Sequence, residues 1–199
     1  MNLRLLVAVV LAAGLSDPAV RAQEASPGIL AKIAATAEAR YLDPAMRKAF
    51  EDSQVASYRF LLAYAPDGIP SESLQRVKAG IEARFPDDYW VQQRLVENAV
   101  DSYRFIDTFH PAEMPAADLA EVKARLLKRY GDDYSIQRTL LQSQVESYMI
   151  VRAYALTGVP ADAVAAIREK LTAKYPHDYS TQRTVLEREV KTYLDRQQR

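Results

Sequence analysis

Cysteine is absent from the 199 residues. This excludes disulfides, thiolate metal sites, a cysteine nucleophile and the lipidated cysteine of a bacterial lipoprotein. Glycine occurs six times, with no glycine-rich run to cradle a phosphate and no Gly-x-Ser-x-Gly turn to present a serine nucleophile. There are two histidines, His110 and His177, in different connecting segments and unrelated to each other. His110 and Glu113 are near in sequence, but Pro111 lies between them and a metal normally takes about three or four ligands. No metal site and no cofactor are expected. Charge of one sign is also missing: 26 basic residues balance 26 acidic ones. The charges are interleaved, whereas nucleic-acid and anionic-membrane binders cluster Lys and Arg; neither partner is expected.

The one long apolar run is at the start. Met1-Asn2-Leu3-Arg4 leads into apolar residues from Leu5 to Leu15, and Val20-Arg21-Ala22 precedes Gln23. This is the pattern of a secretory signal cut after Ala22. The run is too short to span a bilayer of about 30 Å as a helix, and no second one follows. The expectation is a cleaved leader over 1–22, no membrane insertion, and a periplasmic or secreted mature chain. Lacking disulfides, that chain relies on its hydrophobic core, and its length suffices to bury one.

What the sequence does contain is a repeat. Tyr58, Tyr103, Tyr148 and Tyr193 are each 45 positions apart, as are Val55, Val100, Val145 and Val190. Pro70, Pro115 and Pro160 keep the step, and so do Asp88-Tyr89, Asp133-Tyr134 and Asp178-Tyr179, with Gln92, Gln137 and Gln182 three residues further on. A fixed period of this kind determines the architecture.

Each unit carries two periodic segments. In the longer, Tyr89, Val96, Val100, Tyr103 and Ile106 fall on one helical face, with Asp88, Asp133 and Asp178 placed as N-caps. The shorter starts at the repeated proline, read as part of the first turn. It aligns Leu74, Val77, Ile81 and Phe85, matched by Leu119, Val122, Leu126 and Tyr130 and by Val164, Ile167, Leu171 and Tyr175. Arg84, Arg129 and Lys174 complement its negative end, before Pro86, Gly131 or Pro176. The predicted fold is all-α: an α-solenoid-like array of antiparallel helical hairpins, about eight helices in the mature chain. One helical-repeat domain is expected over 23–199. It comprises a degenerate half-unit at 27–42, units at 43–87, 88–132 and 133–177, and a polar capping helix at 178–199. The array resembles the α-solenoid class, its period nearest the HEAT and armadillo range; the tetratricopeptide period of about 34 residues does not fit. The resemblance is one of architecture.

Positions shared by every unit are most simply those that build it. Tyr89, Tyr134 and Tyr179 are candidates for a polar-aromatic edge, though tyrosine at helical spacing more often packs its ring and exposes its hydroxyl. Trp90 stands where the other units have Ala45, Ser135 and Ser180, and is the first candidate contact residue. Arg59 and Arg104, each followed by phenylalanine, become Met149 in the third unit, so they are candidates for a surface that varies along the array. Adjacent acids at Asp87-Asp88 and Asp132-Asp133 are better explained as caps than as a catalytic pair. The expected function is an exported binding or scaffold protein recognising a polypeptide or envelope component. One alternative is a carbohydrate-active or other hydrolytic enzyme using paired carboxylates in a helical cleft; another is a structural protein that self-associates.

Overall fold

The computed structural model describes residues 25–197; the expected leader and its cut after Ala22 lie outside them. The described residues form eight helices and no strand: α1 Pro27–Arg40, α2 Pro44–Ala63, α3 Ser71–Arg84, α4 Tyr89–Thr108, α5 Ala116–Tyr130, α6 Tyr134–Ala153, α7 Ala161–Lys174 and α8 Tyr179–Gln197. Each short helix packs on the long helix that follows it, giving the hairpins α1–α2, α3–α4, α5–α6 and α7–α8. Counted by packing, the repeating unit therefore starts at the short helix.

Two compact units meet in sequence at Ala63 and Tyr64. In the first, the Ser26 hydroxyl accepts from Ile29 N–H at the start of α1, and Ile33 and Ala37 are buried. Arg47 donates from Nε to the Tyr41 carbonyl at 2.7 Å, which holds the α1–α2 turn. It occupies the place that glutamine takes in the later units.

In the second unit the long helices α4, α6 and α8 lie side by side, and α3, α5 and α7 each rest on their own partner. Ser102 of α4 and Ser147 of α6 are buried. The two tyrosine rows of the repeat explain each other here. Tyr134 packs edge-on against Tyr103 with ring centroids 5.0 Å apart, and Tyr179 against Tyr148 at the same distance. Such a pair contributes beyond the area it buries. Met114, Leu119, Val122, Leu141 and Val145 fill the core beneath the second pair, and Val151, Val164, Leu171, Leu186 and Val190 form the next layer.

Helix ends follow the sequence pattern with one difference. Asp88, Asp133 and Asp178 each accept a hydrogen bond from the backbone N–H three residues on, at 3.2 to 3.3 Å. The repeated prolines stand one place earlier than the first turn, at the N-cap, with extended backbone (ψ 135 to 141°). Their carbonyls accept the first helical bond, from Leu74, Leu119 and Val164, a role that needs no N–H of their own. At the other end Arg84, Arg129 and Lys174 lie over the rings of Phe85, Tyr130 and Tyr175.

The short-to-long turn is closed by buried glutamines. Gln92 donates to the Phe85 carbonyl at 2.8 Å and Gln182 to the Tyr175 carbonyl at 2.7 Å, while Gln137 donates to Gly131. Each satisfies a helix-end carbonyl that would otherwise lack a partner. Asp87 and His177 follow prolines and adopt positive φ (63° and 54°), whereas in the middle turn Gly131 takes it instead. Gly131 has φ 52° and ψ −122°, the first central position of a type II′ turn, which favours glycine.

Candidate functional site

The short helices pack on the long layer but not comparably on one another, so grooves run between them. The groove between α3 and α5 holds about 410 Å³ and is floored by Tyr103 and Ile106 of α4. Arg76 of α3 and Lys123 and Leu127 of α5 form its sides, with Tyr134 and Asp132 at one end. The volume falls in the range of small-molecule sites, about 300 to 1,000 Å³.

Arg76 spans the groove's edge. Its Nε donates to Asp132 Oδ2 at 2.7 Å and its Nη2 to Asp132 Oδ1 at 3.2 Å, while Nη1 lies 2.9 Å from Glu72. Tyr134 donates its hydroxyl to Asp132 Oδ1 at 3.0 Å. The Arg76 guanidinium, helped by this hydroxyl, holds the Asp132 carboxyl below the usual carboxylate range. Asp132 is thus ionised and paired, the opposite of what a general acid requires. Burial pushes the Tyr134 hydroxyl up.

Lys123 breaks the repeat. At the equivalent place Lys78 donates to the Tyr64 carbonyl at 2.8 Å and Arg168 to the Tyr154 carbonyl at 3.2 Å. Each acceptor is the residue that directly follows a long helix in sequence. Lys123 makes no hydrogen bond or ion pair with the described residues. Burial lowers its pKa, opposed by the nearby Asp107.

A second crevice, between α3 and the N-terminus of α6, holds about 410 Å³ and is lined by Gly80, Arg84, Ala99 and Ser135. Its counterpart one repeat later holds about 210 Å³. There Arg125 stands for Gly80 and donates to the Pro176 carbonyl at 2.6 Å. Gln144 stands for Ala99 and accepts from Tyr179 and Ser180 N–H at 2.7 and 3.2 Å. Two long side chains fill one crevice and are missing from the other. On α4 and α6, Arg94, Glu97, Asp101 and Arg138 surround a more polar depression of about 590 Å³.

The sequence candidates occupy several places. Tyr89, Tyr134 and Tyr179 are buried; of these, Tyr134 lines the α3–α5 groove. Trp90 is 52% exposed on the first turn of α4, and Arg59 is exposed on α2. Arg104 donates from Nε and Nη2 to the Asp67 carbonyl at 3.2 and 2.7 Å. It braces the loop ahead of α3. Lys123, Arg76, Gly80 and Ala99 were not singled out from sequence, although Gly80 against Arg125 and Ala99 against Gln144 are visible once the units are aligned.

His177 places Nδ1 3.3 Å from Asp118 Oδ1 without an aligned hydrogen bond, and His110 is exposed in the α4–α5 loop. Among the described residues no three His, Asp or Glu side chains gather as a metal site, and no helix is long and apolar enough to cross a membrane. No family model, curated protein or solved structure matches the chain.

Proposed function

We propose that the chain is an exported helical-repeat binding protein whose grooved face takes a segment of a polypeptide or envelope component. The observation that carries this reading is the α3–α5 groove: an apolar floor with separate charged groups at its edges, mounted on a rigid layer of packed helices. Such a surface can seat an apolar side chain and orient it by polar contacts. Export rests on the sequence of residues 1–22.

A photo-crosslinking residue at Leu127, which is 54% exposed in the groove, tests it. The expected result is a discrete polypeptide adduct in cells, absent when the same residue replaces the exposed Glu189 of α8. Absence of any adduct, together with substrate turnover by the purified chain, would overturn the reading in favour of an enzyme.

A further inference from the structure

The repeat supplies its own control for what position 123 does. In the hairpins on either side the equivalent cation is consumed by a backbone carbonyl, from Tyr64 for Lys78 and from Tyr154 for Arg168. In the middle hairpin the same side chain lies along the groove wall with its three donors unused by the described residues. Phe109, whose carbonyl would be the corresponding acceptor, instead stacks its ring on Phe105 at 4.8 Å.

An amine in a partly apolar setting without an acceptor is unfavourable unless something else supplies one. The other charges around the groove do not. Asp132 is occupied by Arg76 and Tyr134. Arg76 is itself shared between Asp132 and Glu72. Asp107 acts on Lys123 from a distance without forming an ion pair. Tyr103, Ile106 and Leu127 line the same groove as Lys123, with Asp107 also on its lining.

We propose that the α3–α5 groove binds a monocarboxylate carried on an apolar stem, with the carboxylate on Lys123 and the stem against Tyr103, Ile106 and Leu127. Both a polypeptide C-terminus ending in an apolar residue and a free alkyl carboxylate have this chemistry. The inference rests on the reading of the groove as a binding surface and specifies what that surface selects. Lys123 contributes the charge-assisted hydrogen bond, which is about twice as strong as a neutral one. Burial already disfavours its charged form, so an incoming carboxylate raises its pKa and binding takes up protons at alkaline pH.

The test is a titration of the isotopically labelled full chain with N-acetyl-leucine, octanoate and N-acetyl-leucinamide, followed by NMR. Saturable shifts at Lys123 and Ile106 are expected with at least one of the two acids and not with the amide. N-acetyl-leucine binding assigns the peptide source, and octanoate alone assigns the free acid. Lys123→Met keeps the apolar stem of the side chain and breaks no hydrogen bond, so the fold should persist, as an unchanged thermal melt would verify. It should weaken binding about tenfold or more, with Lys123→Arg restoring much of it. Equal shifts by acid and amide, unchanged affinity in Lys123→Met, or no saturable shift with either acid would overturn the proposal. In the last case an adduct at Leu127 would leave the polypeptide reading standing, while acid binding without any adduct would remove that reading alone.

Discussion

Arg76 and Asp132, 56 residues apart in sequence, meet through two nearly parallel hydrogen bonds that join α3 to the turn entering α6. The pair links consecutive hairpins, so its titration is a property of the seam. Asp132 has a depressed pKa, chiefly from Arg76 and further from Tyr134. A depressed carboxyl contributes stability above its unfolded value, about pH 4, and that contribution is lost as pH falls through the lower folded value. Arg76→Met is expected to lower the melting temperature slightly at pH 7. The difference from the parent chain should disappear on acidification towards pH 2, read by circular dichroism. A constant difference across that range would show that packing of the arginine stem, and not the ion pair, was lost.

The three turn glutamines make a stronger prediction. Gln182 is 1% exposed and donates to a carbonyl at the end of α7, which no water can reach easily if the side chain is removed. Gln182→Ala should cost about 1 to 3 kcal/mol by urea denaturation, the range for stranding a buried polar group. Gln93→Ala, half-buried on α4 and bonded only within its own helix to Glu97 at 3.4 Å, should change stability little. Equal effects would show that the turn carbonyl finds another partner.

Much of this architecture was legible because the repeat exposes its structural positions. The 45-residue step marks the eight helices and the Asp caps. The recurrent glutamine is visible in the same step, and its partners are the carbonyls of Phe85, Gly131 and Tyr175. The phase of packing was not legible, since a period is the same wherever it is cut; only contact shows that α5 rests on α6 and not on α4. The grooves escaped for a related reason. Shared positions are those that build the unit, which brings out Tyr134 and leaves Lys123 inconspicuous. Lys123 looks ordinary between Lys78 and Arg168 until the carbonyl its neighbours hold is seen to be missing from its own contacts.

The unfilled crevice allows a gain as well as a loss. Ala99 occupies the place from which Gln144 caps the backbone of Tyr179 and Ser180, and the space beside it is open. Ala99→Gln should therefore reach Ser135 N–H at the start of α6 and raise stability by about 0.5 to 1.5 kcal/mol. A differential scan of the two chains checks this. A fall in stability would mean that the crevice closes too tightly for the longer side chain.

Gly131 isolates backbone strain from packing. A Cβ placed there meets nothing within 4 Å, yet φ is +52°, where an L-residue is disfavoured by roughly 1 to 2 kcal/mol. Gly131→Ala should lower stability by about that amount with no change in the helical signal. Gly80→Ala, also in open space but within α3, should instead be neutral or stabilising by about 0.5 to 1 kcal/mol. The opposite signs would separate the two glycines' roles.

At alkaline pH the last seam responds through Tyr179. Burial, with Asp118 and Tyr148 beside it, pushes its hydroxyl up to about 12, because a phenolate there would be poorly solvated and would face a carboxylate. Its folded pKa lies above the unfolded value of about 10. The contribution to stability is therefore complete below pH 10 and is lost as pH rises through 12. Tyr179 should be among the last tyrosines to ionise when phenolate absorbance is followed, and Tyr179→Phe should flatten the fall in stability between those pH values. Asp118→Asn should bring the ionisation of Tyr179 to lower pH, since it removes the neighbouring negative charge while keeping the side chain's shape. If Asp118→Asn leaves the titration unmoved, burial alone accounts for the shift, and the α5-to-α8 contact carries no electrostatic coupling.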